Sequence, residues 1–200
     1  MSNAVPLQGT NIVILARNYN PSIVSKEWLY EKNIVREPVG NFVHTPVFSL
    51  IETDRISFVL SEDRLQISLR SITPENVEAL PRLATEFVSC LPETPYVAVG
   101  FNYNYRVPKA SSQLEMLFSP NEVKLKELFS EDYEIGEQVF FRFKEFIVGM
   151  TAAPVRGEMA LAMNFNFHSD APGAEQVKQR LELYAQTKEK AEEILKGVSR

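Results

Sequence analysis

The chain has few of the residues that support redox or metal chemistry: one cysteine, Cys90, and two histidines, His44 and His168, among 200 residues. A single cysteine excludes an internal disulfide framework and any zinc or iron–sulfur site built from paired thiolates. Cys90 follows the apolar spacing of a predicted helix, which favours a packed thiol over a nucleophile. We therefore expect no metal and no cofactor.

Glycine is also sparse. The 8 glycines are scattered, and none falls in a Gly-x-Gly, Gly-x-x-x-x-Gly-Lys or Gly-x-Ser-x-Gly pattern. Loops that cradle phosphates need such glycines, so nucleotide binding of the Walker or Rossmann type is not expected. The nucleophile elbow of α/β-hydrolases is absent as well. Because the sequence contains no catalytic motif that we recognise, our leading interpretation is not an enzyme.

An excess of basic residues is missing too. The net charge is −5 and the isoelectric point about 5.2, which argues against nucleic-acid partners and anionic membrane surfaces. No run approaches the roughly 18 apolar residues of a membrane span. The first ten residues have neither a basic start nor an apolar stretch, so we predict no secretory signal and a cytoplasmic protein. The apolar fraction of 44% predicts a packed core.

The most informative segments that are present alternate aromatic residues with asparagine, at 101–106 and 164–168. This alternation has the period of a β-strand with one apolar and one polar face. Asparagine is depleted in strands, so its repetition in register on two of them is unusual. If the two strands share a sheet, its polar side carries Asn102, Asn104, Arg106, Asn164, Asn166 and His168.

This polar face has three possible roles: a solvated surface, a surface covered by another subunit whose amides pair across a two-fold axis, or a ligand cleft in which all six side chains converge. Within it, Arg106 has the geometry for bidentate recognition of carboxylate or phosphate. His168 and Asp170 have a spacing that suits two metal ligands but lack a third. A strand end followed by a helix cap is the favoured interpretation of that pair.

The order of predicted elements indicates an α+β protein, mostly antiparallel, with helices packed on one face of the sheet. Residues 1–108 match a ferredoxin-like βαββαβ arrangement, and residues 109–200 match a related αββα arrangement after a polar link at 109–113. We predict that the halves form one compact unit, and that strand–hairpin–helix segments at 42–91 and 139–195 are related by duplication.

Two strands are predicted to be irregular. Residues 42–52 read as one strand in which Pro46 requires a sheet edge or a bulge. Residues 139–150 read as one long strand whose apolar phase shifts, which predicts a bulge at Lys144 and Glu145. Further upstream, one helix is predicted from about residue 20 to 32 with Asn20 as its N-cap.

One helix is predicted from about 174 to 198, with apolar side chains at alternating steps of four and three residues. Two interpretations stay open: the seam covers the chain's own sheet, or its far end overhangs and contacts a second subunit. The predicted interface residues are Tyr184, Lys188, Ala191, Leu195 and Val198.

The leading functional expectation is a non-catalytic module for protein–protein interaction or assembly, most simply a homodimer. The alternative is a protein that binds a small molecule, or an enzyme, using the polar Asn/Arg/His face.

Overall fold

The computed structural model describes residues 5–108, 122–129 and 134–198. In this part of the chain nine strands and five α-helices are present, with a 3₁₀ turn at Pro21–Ile23. The strands are β1 (Leu7–Ala16), β2 (Asn41–Thr45), β3 (Phe48–Glu52), β4 (Ile56–Ser61), β5 (Arg64–Leu69), β6 (Tyr96–Pro108), β7 (Glu137–Phe143), β8 (Phe146–Pro154) and β9 (Ala160–Asp170). The helices are α1 (Lys26–Glu31), α2 (Pro74–Cys90), α3 (Glu122–Phe129), α4 (Ala174–Leu181) and α5 (Tyr184–Val198).

All nine strands belong to one sheet, in the order β2-β3-β4-β5-β1-β6-β9-β8-β7. Each neighbouring pair is antiparallel. Read outwards from the centre, β1-β5-β4-β3 and β6-β9-β8-β7 follow the same connectivity. The two predicted halves therefore share a continuous sheet and are joined through β6. Their origin by duplication stays a prediction, and the predicted link at 109–113 lies outside the described residues.

The packed core lies on one face of this sheet, because the alternate residues that point to that face are apolar in every central strand. Helix α2 contacts β1 and β5, and α4 and α5 contact β6. The aromatic side of the two Asn-containing strands is buried here, including Tyr103 and Phe167, whose rings meet edge to face at 5.8 Å between centroids. The predicted α+β class, with an antiparallel sheet, is confirmed.

Both irregular strands are hairpins, so the prediction of one bent strand was wrong in each case. Residues 42–52 form β2 and β3, and Pro46 and Val47 occupy the two-residue turn between them. Residues 139–150 fall in β7 and β8, which reverse at Lys144 and Glu145. Lys144 adopts a positive φ of 51°, a conformation that favours glycine, so its side chain gave no signal of a turn.

The helix predicted at 20–32 is also divided. Asn20 caps the short 3₁₀ turn by accepting from the Ser22 N–H, and Ser25 starts α1 by accepting from the Trp28 N–H. By contrast, α2 has a single N-cap, Thr73, which accepts from the Asn76 N–H, and the helix continues through Pro81. Side-chain caps thus mark these three starts. The sequence alone did not show that the chain leaves helical geometry between the 3₁₀ turn and α1.

The final helix predicted at 174–198 is two helices, because Glu182 and Leu183 form a turn between α4 and α5. The apolar seam continues across this turn and packs on the chain's own sheet. Of the five residues predicted to form an interface, Tyr184, Ala191, Leu195 and Val198 are buried within the chain. Lys188 is half-buried and pairs with Glu192 at 2.6 Å.

Buried hydroxyl groups fasten α5 to the centre of the sheet. The Tyr184 hydroxyl lies 2.7 Å from Thr10 Oγ1 on β1, and the Tyr103 hydroxyl donates to the Tyr184 carbonyl at 2.9 Å. Burial raises the pKa of Tyr184 and of Tyr103 above the usual tyrosine range. Burial also raises the pKa of Tyr105, yet within the described chain the Tyr105 hydroxyl has no hydrogen-bond partner.

Candidate functional site

The predicted asparagine face exists, because β6 and β9 are neighbours in a register that aligns their polar residues. Asn102 lies opposite Asn166, and Asn104 lies opposite Asn164. In both strands the alternate aromatic residues point to the helices, so all four amides lie on the opposite face. That face is open: Asn104, Asn164 and Asn166 are exposed.

The amides form a hydrogen-bonded row that crosses three strands. Asn166 donates from Nδ2 to Asn102 Oδ1 at 2.6 Å, and Asn102 donates from Nδ2 to Asn11 Oδ1 on β1 at 2.7 Å. Two residues along β9, Asn164 Nδ2 lies 3.4 Å from Thr151 Oγ1 on β8. Each amide has more donors and acceptors than these contacts use. The row therefore keeps hydrogen-bonding capacity directed to solvent.

Arg106 and His168 lie at opposite ends of the asparagine face. Arg106 lies opposite Ala162, whereas His168 lies opposite Gly100. The six rungs between these pairs correspond to about 20 Å along the sheet. Arg106 forms an ion pair with Glu158, and His168 Nε2 lies 4.0 Å from Asp170 Oδ1. Five of the six predicted side chains, including His168, border the concave region described next, whereas Arg106 lies outside it. Side chains on the same face of a sheet can therefore be far apart along the strands.

The asparagines border a concave region of about 410 Å³ that extends towards the β7 edge of the sheet. Two exposed apolar side chains lie there, Phe140 on β7 at 67% exposure and Ile147 on β8 at 50%. Gly149 permits this arrangement, since a Cβ atom at that position would lie 3.3 Å from the Phe140 ring. The lining of this region, which we call the amide groove, comprises Asn102, Asn104, Gln138, Phe140, Ile147, Gly149, Thr151, Asn164, Phe165, Asn166 and His168.

Sequence reasoning missed the contribution of β7 and β8 to this site. Gln138 and Phe140 alternate with the buried side of β7, so their common face was visible in the sequence. Because residues 139–150 were interpreted as one strand, we did not predict that β7 pairs with β8 and that β8 pairs with β9. The chain reversal between β7 and β8 is what brings Phe140 close to Asn166.

A second concave region, of about 790 Å³, lies on the helix side between α2 and the α4–α5 pair. Val77 and Pro81 of α2 form one wall, and Tyr184 and Lys188 of α5 form the other. Its lining contains charges of both signs, including Arg82 and Glu189, so it favours no particular charge on a ligand. No sequence pattern pointed to it, since it arises from the separation of two helices.

Neither metal binding nor nucleophilic catalysis gains support in the described part of the chain. No cluster of three or more His, Cys, Asp or Glu side chains suits a metal ion in residues 5–108, 122–129 and 134–198. Cys90 is half-buried against the core. His44 lies on the exposed edge strand β2, where its ring contacts Ser49 Oγ at 2.8 Å and stacks on Phe42.

No protein-family model and no curated protein matches this chain. Among the described helices, none combines the length and the apolar character needed to cross a lipid bilayer.

Proposed function

We propose that this chain is a non-catalytic protein–protein interaction module that forms a homodimer through the open face and free edge of its second half. The observation that carries this proposal is the exposure of Phe140 and Ile147 beside the asparagine row. Aromatic side chains with a polar surround are typical of contact surfaces. The buried seam of α5 is not part of the proposed interface.

The asparagine row supports a contact surface because its amides can both donate and accept. A neutral row of this kind pairs with a second protein without placing a charge in a desolvated interface. Charged side chains lie at the two ends of the face: Arg106 with Glu158 at one end, and Asp170 near His168 at the other. This distribution resembles an interface with a neutral centre and a charged rim.

The test is the solution mass by light scattering at several concentrations up to tens of micromolar. We expect a dimer for the unchanged chain and a monomer for Phe140→Glu, because the charge would be buried at the contact. Val47→Glu is the matched control, because Val47 is 56% exposed in the β2–β3 turn, near the sheet edge opposite β7. A monomer at every concentration, or a Phe140→Glu dimer as stable as the parent, refutes the proposal.

A second candidate function is binding of a small molecule in the amide groove. Its volume of about 410 Å³ and its combination of amides with an exposed ring favour a polar ligand that carries a flat apolar part. A ligand screen by thermal shift tests this, using the double variant Asn164→Ala/Asn166→Ala and the control Asn41→Ala on β2. A ligand that stabilises the parent and control equally but not the double variant supports it; equal shifts in all three contradict it.

We also propose that the first half has the ferredoxin-like arrangement. Its support is the sequence of neighbours β4-β5-β1-β6, in which the first strand lies between the last two strands of a βαββαβ unit. The β2–β3 hairpin is then an addition at the edge beyond β4. A fragment ending at residue 108 that folds cooperatively supports this unit; a fragment without cooperative unfolding argues that β9 is required.

A further inference from the structure

Strand β7 ends the sheet on the side of the amide groove, and its outer edge is free among the described strands. Phe143 and Phe146 flank the two-residue turn between β7 and β8, so they form a hydrogen-bonded pair. Because such pairs alternate along a hairpin, Phe141 and Val139 also bond to β8. The backbone N–H and C=O groups of Gln138, Phe140 and Arg142 consequently point away from the sheet.

The side chains at these same three positions are exposed and lie on the open face. Arg142 forms no ion pair or hydrogen bond within the described residues, and the same is true of the Gln138 side chain. Phe140, between them, is 67% exposed. This edge can pair with another strand, because its outward backbone groups are unpaired. The unpaired cation, the unpaired amide and the exposed ring beside them can contact the side chains of that strand.

We propose that the partner on this edge is the β7 strand of a second copy, paired antiparallel with Phe140 opposite Phe140 of that copy. This inference rests on the proposed homodimer and specifies its geometry. In this register Gln138 lies opposite Arg142 of the other copy, so the amide oxygen accepts from the guanidinium. The three opposed pairs supply about six backbone hydrogen bonds.

In this register the charged side chains of β7 do not repel each other across the two copies. Glu137 lies opposite Phe143 of the other copy, and Arg142 lies opposite Gln138, so no like charges oppose each other directly. The two Phe140 rings face each other on the two-fold axis, where cross-strand aromatic pairs stabilise sheets.

The axis of this dimer is perpendicular to the sheet, so the helices of both copies stay on one side and both amide grooves open on the other. The two grooves then flank the Phe140 pair and form one continuous polar surface. Because a single strand edge buries less area than a standard interface, we expect a dimer that dissociates on dilution.

Cross-linking in the Cys90→Ser background tests the register. Phe140→Cys places two sulfur-bearing residues about 5.5 Å apart between Cα atoms, within disulfide range. Gln138→Cys alone places them four residues apart, about 14 Å, which is too far. The double variant Gln138→Cys/Arg142→Cys restores opposed pairs and retains Phe140. Val43→Cys, on the other sheet edge β2, is the matched control.

After mild oxidation with diamide, we expect covalent dimers for Phe140→Cys and for the double variant, and monomers for Gln138→Cys and Val43→Cys. If Val43→Cys cross-links instead, the copies pair through the β2 edge, and this inference is overturned. If the parent is a dimer that Phe140→Glu dissociates but neither β7 variant cross-links, the strand pairing is wrong while a homodimer through the open face stands. A parent that is monomeric at every concentration overturns both.

Discussion

The hydrogen bond between Tyr184 on α5 and Thr10 on β1 gives a quantitative test of how the final helix docks. Thr10 is 3% exposed and Tyr184 is 2% exposed, so neither hydroxyl has water as a replacement partner. Tyr184→Phe leaves the Thr10 hydroxyl unpaired, and Thr10→Val does the reverse. Each change is expected to lower the free energy of unfolding by about 1–3 kcal/mol.

The double variant Thr10→Val/Tyr184→Phe removes both hydroxyls and leaves neither unpaired. Its cost is therefore expected to be smaller than the sum of the single changes by about 1–2 kcal/mol. The assay is urea denaturation of all four proteins, with the midpoint compared at constant m-value. Strict additivity refutes the contact, because residues that do not interact contribute independently.

Tyr105→Phe is the matched control for the loss of a buried hydroxyl. Tyr105 is 2% exposed, like Tyr184, but within the described chain its hydroxyl has no partner. Removing it relieves desolvation without breaking a bond, so the variant is expected to be unchanged or more stable by up to about 1 kcal/mol. A Tyr105→Phe loss equal to that of Tyr184→Phe would show that general packing, rather than hydrogen bonding, sets the cost.

Three further predictions concern pH, a helix cap and the amide groove. Burial raises the pKa of Tyr103 and of Tyr184. Above about pH 10 the folded state therefore keeps both phenolic protons, whereas the unfolded chain loses them. Urea titrations should then show the free energy of unfolding falling by about 1.4 kcal/mol per tyrosine for each pH unit. A stability independent of pH from about 10 to 11 would contradict this. Thr73→Ala, which removes the α2 cap, should lower the unfolding free energy by about 1 kcal/mol, while Thr73→Ser retains it in the same assay. Gly149→Ala should displace the exposed Phe140 ring yet change the unfolding free energy by less than about 0.5 kcal/mol; a larger loss in urea would show that the ring is held in place.

The polar face was predictable because its basis is local. Successive side chains of any strand alternate between faces, so Asn102 and Asn104 had to share one side, as did Asn164 and Asn166. Their aromatic neighbours then had to share the other side and form core. Alternation could not show that Arg106 lies far from His168, because it specifies a face and says nothing about position along that face.

The hairpins were not predictable for a related reason. A shift of apolar phase at Lys144 and Glu145 is compatible with a bulge and with a reversal of the chain. Neither residue is a preferred turn former, and the positive φ of Lys144 is tolerated only in its tertiary context. The turn at Glu182 and Leu183 was hidden similarly, since the step from Leu181 to Tyr184 preserves the apolar spacing across it.

The sequence by itself determined which side chains are apolar, which share a face of each strand, and where caps such as Thr73 start helices, because these depend on neighbours within a few residues. Only the tertiary structure decided that β1 and β6 meet at the sheet centre, that α5 covers its own sheet, and that Phe140 lies beside the asparagine row. Those outcomes depend on pairing between distant segments, and strand alternation is compatible with many such pairings. The physical choice among them is made by burial of the whole aromatic face under the helices.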